Sequence, residues 1–152
     1  MLFLLFLIAQ ITLMIFMLLH DWLDIPPFTN IKALREKHSL NELILSTLVN
    51  AGTIAWCLII LRTYYPGPYP CWVKINWIII YTLLTVGTIC AWWLPYIFGS
   101  SPARKEGLSE YKHTHTFLPA RGDNTVPNTL HILIHIQVWF CCVVSWYLLL
   151  QK

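Results

Sequence analysis

Long runs of apolar residues, separated by shorter polar segments, dominate the chain from one end to the other. Four such runs stand out, at about residues 2–19, 43–61, 72–98 and 130–150. Each holds roughly 18 or more residues with almost no charge, the length that an α-helix needs to cross a hydrocarbon layer of about 30 Å. None shows the alternation of a strand. The pattern therefore predicts an all-α integral membrane protein with four transmembrane helices.

Residues with known capping preferences mark where two of these helices begin. Ser39 is followed three positions later by Glu42, a pairing in which each side chain bonds the free backbone amide of the other residue. Asn128 stands before the last apolar run, where its side chain is a good cap. We therefore expect a single domain of four helices in an antiparallel bundle, at about residues 2–19, 40–63, 72–98 and 128–150.

Two longer connections join the first helix to the second and the third to the fourth. In the first, Pro26 and Pro27 prevent helical continuation, since proline lacks an amide donor and restricts the residue before it. The segment 31–38 that follows mixes apolar with basic residues, and a similar amphipathic piece is expected from Pro102 to about Lys112. Both are predicted to be short interfacial helices on the membrane surface.

The composition agrees with a lipid environment. Hydrophobic residues make up 57% of the 152 residues and charged residues only 11%, against roughly 25% charged residues in an average soluble domain. The net charge of +3 is small and dispersed, which argues against nucleic acid as a partner. The first apolar run lacks a preceding basic segment and a following cleavage site of small residues. We expect it to be retained rather than removed as a signal peptide.

The distribution of Lys and Arg predicts the orientation in the membrane. The two long connections together carry seven of these residues, whereas the opposite side carries three. Because cytoplasmic connections are enriched in Lys and Arg, both long loops are predicted to be cytoplasmic and both termini to lie outside.

The stretch from residue 113 to residue 135 concentrates polar side chains directly before and within the last helix. His131 and His135 are four positions apart and therefore share one face of that helix. His113 and His115, two positions apart, point the same way if their segment is extended. Together with the carboxylate of Asp123, these four histidines predict a zinc or iron site.

The four-helix topology brings further polar residues to the same membrane face. His20 and Asp21 follow the first helix, and Glu42 begins the second. Ionisable groups at membrane depth are rare and usually functional. Asp21 is therefore a candidate catalytic carboxylate. Glu42 is fully explained as a cap.

The segment containing Arg121 and Asp123 admits two interpretations. The sequence Arg121-Gly122-Asp123-Asn124 is typical of a turn. Alternatively, Arg121 holds a phosphate or carboxylate of a substrate headgroup, and Asp123 acts beside it. Both residues are kept as candidate catalytic residues.

Structural and cofactor-binding alternatives remain open for the histidines. His131 and His135 are also typical of helix-to-helix hydrogen bonding, and His113 and His115 of a solvated loop. A b-type haem needs axial histidines at matching depth on two facing helices. His20, with His131 or His135, is the candidate set for that cofactor, ranked below a non-haem metal.

Two classes of function follow. The first is a metal-dependent membrane hydrolase or oxidoreductase in which the metal activates water against a lipid-like substrate. The second is a non-catalytic membrane protein, such as an accessory subunit, a transporter component or an immunity-type protector, whose polar loop binds a partner. Association with a partner subunit or with a second copy is compatible with either class.

Overall fold

The structure is a computed structural model that describes residues 2–151 of the chain. Within these residues the regular secondary structure is all helical, and no strand is present. The elements are α1 (Leu2–Leu19), α2 (Ile31–Lys37), α3 (Leu40–Thr63), α4 (Cys71–Thr88), a π-helical turn (Ile89–Trp93), α5 (Leu94–Phe98), α6 (Pro102–Gly107), a 3₁₀ turn (Ser109–Tyr111) and α7 (Thr129–Leu150).

Four helical segments are long and apolar enough to cross a membrane. They are α1 with 18 residues, α3 with 24, the continuous segment Cys71–Phe98 with 28 and α7 with 22. At a rise of about 1.5 Å per residue, segments of this length match a hydrocarbon layer of about 30 Å. The prediction of an all-α chain with four such helices is confirmed, as expected for a multi-pass membrane protein.

Side-chain caps define the starts of two of these helices. Ser39 Oγ accepts the Glu42 amide at 3.3 Å, and Glu42 Oε2 accepts the Ser39 amide at 2.7 Å. At α7, Asn128 Oδ1 accepts the amide of His131 at 2.9 Å. These bonds satisfy donors that have no partner inside a helix, so the polar helix ends are stable at the membrane boundary.

Tryptophan indoles link neighbouring long helices. α4 packs along α7, and α1 packs against both α3 and α7. In lipid, helices associate through close packing and hydrogen bonds, because the surrounding tails are as apolar as the side chains. Among residues 2–151, five indole N–H groups donate between the long helical segments: Trp56 to Asn76, Trp77 to the Cys57 carbonyl, Trp93 to His135, Trp139 to Thr88, and Trp146 to Thr82.

A buried aromatic cluster lies at the centre of the helix packing. Trp77 and Tyr81 of α4 and Phe6 of α1 are fully buried. The Phe6 ring meets Trp77 edge-on at 5.5 Å and Tyr81 at 6.1 Å, an arrangement that adds to the energy of burial. This cluster holds α1 against α4 even though the two backbones make few direct contacts.

The side chain of Gln10 is buried in this core without a hydrogen-bond partner among residues 2–151. Gln10 lies on the inward stripe of α1 between Phe6 and Leu13, and all three are 0% exposed. Neither amide atom of Gln10 bonds another atom among residues 2–151. An unpaired amide in an apolar region costs on the order of 1–3 kcal/mol.

Gln10→Leu is therefore expected to raise the free energy of unfolding by about 1–3 kcal/mol, because leucine has a similar size and needs no hydrogen bond. Equilibrium unfolding in detergent micelles measures this difference. Gln10→Ala provides the control, since it removes the amide but leaves a cavity and should not stabilise. A loss of stability in Gln10→Leu would show that the amide has a partner outside the chain.

A π-helical turn interrupts the third membrane-spanning segment near its end. Such turns release backbone carbonyls and are frequent at functional sites. Here Arg104, which follows on α6, donates to the carbonyls of Ala91 at 2.7 Å and Cys90 at 3.3 Å. The turn directs two consecutive indoles, Trp92 and Trp93, towards the first two turns of α7.

Candidate functional site

A small cavity lies where the end of α1, the start of α7 and the two long loops meet. It has a volume of about 20 Å³, which is enough space for one water-sized molecule. Its lining combines apolar side chains with a cluster of polar ones, namely His20, Asp21, Thr29, Asn30, Glu110, Tyr111, Asn128 and His131. Four separate stretches of the chain contribute to this one polar cluster.

His20 and Asp21 form a pair at the end of α1. His20 Nε2 lies 3.1 Å from Asp21 Oδ1, and His20 Nδ1 lies 3.1 Å from the carbonyl of Phe16. A carbonyl only accepts, so Nδ1 carries a proton. A second proton must lie between Nε2 and the carboxylate, since two lone pairs would otherwise face each other. The pair therefore shares one proton.

Burial determines the acidity of the groups around this pair. Desolvation raises the pKa of Asp21 above its ordinary value of 3.8, and the like charge of Glu110 also raises it, while His20 and His38 oppose the rise. Burial likewise raises the pKa of Tyr111, and the carboxylates of Asp21 and Glu110 add to this effect. The phenol is thus a hydrogen-bond donor at neutral pH.

The raised pKa of Asp21 predicts a pH dependence of stability. The folded state binds the proton more tightly than the unfolded state, so stability increases as pH falls from neutral through the folded pKa towards 3.8. Asp21→Asn removes this dependence. The stability of the variant minus that of the wild type should therefore be largest at neutral pH and shrink on acidification. Thermal unfolding in detergent over this range measures it, and a constant difference would contradict the prediction.

His131 is fixed by its own helix cap and by aromatic rings. Its Nδ1 lies 2.7 Å from Asn128 Oδ1, which also accepts the His131 amide. Because that oxygen only accepts, Nδ1 must donate and Nε2 keeps the lone pair in the neutral ring. Trp92 packs on the imidazole at 4.2 Å, and Tyr111 meets it edge-on at 4.8 Å. His131 therefore offers an acceptor atom beside the cavity.

His135 has the opposite arrangement of donor and acceptor. The indole N–H of Trp93 donates to His135 Nδ1 at 3.1 Å. An indole nitrogen is only a donor, so Nδ1 uses its lone pair there and the proton of the neutral ring lies on Nε2. His135 is 2% exposed and does not line the cavity. Its ring is oriented by Trp93 and has no free lone pair.

The predicted zinc or iron ligands do not form a site in this arrangement. His131 and His135 lie 6.1 Å apart between ring centroids, but a metal needs lone pairs from both and His135 offers none. Across residues 2–151, no group of three or more His, Cys, Asp or Glu side chains is placed to hold a metal ion. The structure therefore gives no support to the predicted zinc or iron site.

The other two predicted ligands lie in the loop. His115 joins this loop to the start of α7 and to the first long loop. Its Nδ1 lies 2.7 Å from Thr129 Oγ1, and its amide donates to the Pro27 carbonyl at 2.8 Å. His113 is exposed. Neither residue lines the cavity. Both histidines are exposed, whereas Thr114 between them is buried.

A haem does not fit between His20 and the histidines of α7. The cavity that His20 and His131 share is about 20 Å³, far smaller than a porphyrin. His20 Nδ1 is also bonded to its own helix, and its Nε2 faces Asp21. The bis-histidine arrangement proposed from sequence is therefore not formed.

Arg121 and Asp123 lie away from Asp21. Both are exposed and neither lines the cavity. Gly122 between them has a φ of +57°, which favours glycine in a turn. The guanidinium of Arg121 lies 5.7 Å from the centre of the Tyr96 ring. The structure thus gives the turn arrangement for this segment and does not bring these two residues into the polar cluster.

Sequence reasoning missed the residues that close the cluster from the second long loop. Lys37 Nζ bonds Glu110 Oε2 at 2.6 Å, and His38 Nε2 lies 3.6 Å from Glu110 Oε1. Glu110 is buried, and Tyr111 follows it into the cavity wall. Lys37 and Glu110 are 73 positions apart, so no local pattern indicates their contact.

Comparisons with protein-family models, with curated proteins and with solved structures give no match for this chain.

Proposed function

We propose that the protein is a multi-pass membrane enzyme that performs acid–base chemistry on a lipid-like substrate at one membrane face. The His20–Asp21 pair is the group that takes up and returns the proton. One observation carries this proposal: at the end of a membrane-spanning helix, His20 lies 3.1 Å from the Asp21 carboxylate and 3.1 Å from the Phe16 carbonyl, beside a cavity with space for one water-sized group.

Burial of such a pair has an energetic cost that a purely structural helix end does not require. Ionisable groups near membrane depth are expensive and are usually kept for function. A carboxyl group whose pKa is raised by burial is also a better acid–base catalyst at neutral pH, since its pKa moves towards the operating pH. Asp21 has both properties.

The neighbours of the pair fit this task. The His20 ring stacks on Phe16 at 4.9 Å and donates to the Phe16 carbonyl, so its orientation is fixed. A catalytic base is typically held by such an orienting bond. Tyr111 supplies a donor hydroxyl near Asp21, and His131 supplies an acceptor nitrogen. In hydrolysis the pair would give its shared proton to the leaving oxygen as the bond between that oxygen and the substrate carbonyl carbon breaks. The water that forms the new bond to this carbon would then return a proton to the pair.

The proposal includes a definite placement in the membrane. In an antiparallel arrangement of four membrane-spanning helices, the C-terminal end of α1 and the start of α7 lie on the same side of the membrane. The excess of Lys and Arg in the long loops places that side in the cytoplasm, with both termini outside. α2 and α6 then lie at the interface. In support, α2 buries Ile31 and Leu34, while its basic residues are exposed.

The test uses purified protein in vesicles of phosphatidylethanolamine, phosphatidylglycerol and cardiolipin, with lipid products followed by mass spectrometry. We expect a new hydrolysed lipid with the wild type. Asp21→Asn and His20→Gln should each lower its rate by about 10²-fold or more, as loss of a general acid–base group does. Both variants are checked for folding by the thermal unfolding described above.

Glu106→Gln is the matched control, because this carboxylate is exposed and does not line the cavity. It should keep the wild-type rate. An unchanged rate in folded Asp21→Asn would overturn the proposed role of the pair. Absence of product from all three lipids would reject lipid hydrolysis as the reaction.

A partner-binding role is the second candidate, and one observation favours it. The polar loop after α6 exposes Phe117 to 56%, and Arg121 and Asp123 of the same loop are also exposed. An exposed aromatic ring among charges is typical of a contact surface. A photo-reactive residue at position 117 should give one dominant cross-linked product in native membranes, lost on Arg121→Ala. Scattered or absent cross-links would reject this role.

A further inference from the structure

A wider groove lies beside the cavity, and Ile31 lines both of them. The groove is shallow and open to solvent, with a volume of about 550 Å³. Its walls are formed by the start of the connection that follows α1 and by one side of α2. The lining residues are Trp22, Asp24, Ile31, Lys32, Arg35 and Glu36. None of the residues proposed for catalysis lines it.

The charges in this groove are balanced and available. Lys32 and Arg35 provide two cations, and Asp24 and Glu36 provide two carboxylates; all four are exposed. The ion pairs found within residues 2–151 use other side chains, namely those of His20, Asp21, Lys37, His38 and Glu110. The two cations and two carboxylates of the groove therefore form no ion pairs within the described residues and are free to bind a ligand.

The position of the groove selects a lipid as its occupant. α1 ends at Leu19, so the groove lies just past the end of a membrane-spanning helix. Trp22, typical of the membrane interface, lines it and donates its indole N–H to Thr47 at 2.9 Å. Leu23 and Ile25, which flank Asp24 in the chain, are about half exposed, at 44% and 50%. A headgroup would lie against the charges and an acyl chain against these apolar side chains.

We propose that this groove binds the zwitterionic headgroup of a phosphatidylethanolamine. Its phosphate would bind Lys32 and Arg35, and its ammonium group would donate to Asp24 and Glu36. An anionic headgroup without an amine would meet the two carboxylates unpaired. A choline headgroup has no N–H to donate to them. The groove stands apart from the proposed catalytic role, because it uses different side chains.

Native mass spectrometry tests this proposal directly. Purified protein is equilibrated in vesicles with equal amounts of phosphatidylethanolamine, phosphatidylcholine and phosphatidylglycerol of identical acyl chains, and the lipids retained on the released protein are counted. We expect the ethanolamine lipid to be retained roughly fivefold to tenfold more often than either other lipid, since several exposed charge pairs add up.

Two charge variants should change this preference in opposite ways. Lys32→Gln with Arg35→Gln removes the phosphate contacts, and retention of phosphatidylethanolamine should fall to the level of phosphatidylcholine. Asp24→Asn with Glu36→Gln leaves two cations, so phosphatidylglycerol should become the preferred lipid. Asparagine at position 24 keeps an acceptor for the Ile31 amide, which lies 3.5 Å away, so the local fold is retained.

Matched controls separate this groove from other charges and from the proposed enzyme site. Lys105→Gln with Glu106→Gln changes a similar exposed pair on α6 and should leave the preference unaltered. Asp21→Asn should also leave it unaltered. Equal retention of the three lipids by the wild type would overturn the proposal. So would an ethanolamine preference that survives in both groove variants, because the lipid would then bind elsewhere.

Discussion

Trp77→Ala is expected to lower the free energy of unfolding by about 3–5 kcal/mol, the range for removing a fully buried aromatic side chain. Trp77 is 0% exposed and contacts Phe6 at 5.5 Å and Tyr69 at 5.2 Å between ring centroids. Its loss leaves a cavity between α1 and α4. It also leaves the Cys57 carbonyl without the indole donor that lies 3.3 Å away.

Reversible unfolding in mixed micelles, monitored by the fluorescence of the remaining tryptophans, measures this loss. Trp72→Ala is the control, because Trp72 lies on the same helix but is 48% exposed on its outer side. It should cost much less than Trp77→Ala. Equal costs for the two variants would show that the aromatic cluster is not the centre of helix packing.

Trp77→Phe refines the result. Phenylalanine keeps most of the ring contacts but cannot donate to the Cys57 carbonyl. A cost well below that of Trp77→Ala would assign most of the stability to packing. A cost close to it would assign most of the stability to the hydrogen bond, which is the less expected result because interhelical hydrogen bonds in lipid contribute on average less than about 1 kcal/mol.

The helices were predictable because their signals are local. An apolar run of sufficient length has no other stable form in lipid, where every backbone amide must find a partner within its own segment. Ser39 with Glu42, and Asn128, cap the helices that follow them as their spacing predicts. The π-helical turn at Ile89–Trp93 was not predicted, because it depends on Arg104 bonding the released carbonyls after the chain has folded back.

The candidate site was predicted only in part. The idea that His20, Asp21 and His131 meet at one face follows from the topology, and all three line the cavity. A shared metal has no support, since the hydrogen bonds with Asn128 and Trp93 hold the two α7 histidines as opposite tautomers: Nε2 carries the lone pair in His131 and the proton in His135. Such bonds depend on side chains far along the chain, and spacing alone carries no information about them.

Asn128→Ala should be the second most disruptive change, with an expected cost of about 2–3 kcal/mol. Asn128 is 2% exposed, and its side chain has two tasks. Its Oδ1 accepts the amide and Nδ1 of His131, and its Nδ2 donates to Thr114 Oγ1 at 3.1 Å. Loss of a helix cap costs typically about 1 kcal/mol, and a buried group left unpaired costs on the order of 1–3 kcal/mol.

Asn128→Ser separates the two tasks. Serine is a good helix cap, so this variant should recover about 1 kcal/mol relative to alanine, but it cannot reach Thr114 as the amide does. The remaining cost belongs to the tie between α7 and the second long loop. Thr114→Val, alone and combined with Asn128→Ala, completes a double-mutant cycle. The two costs should be clearly non-additive. Simple additivity would mean that Asn128 stabilises α7 alone and does not hold Tyr111 and His131 against the His20–Asp21 pair.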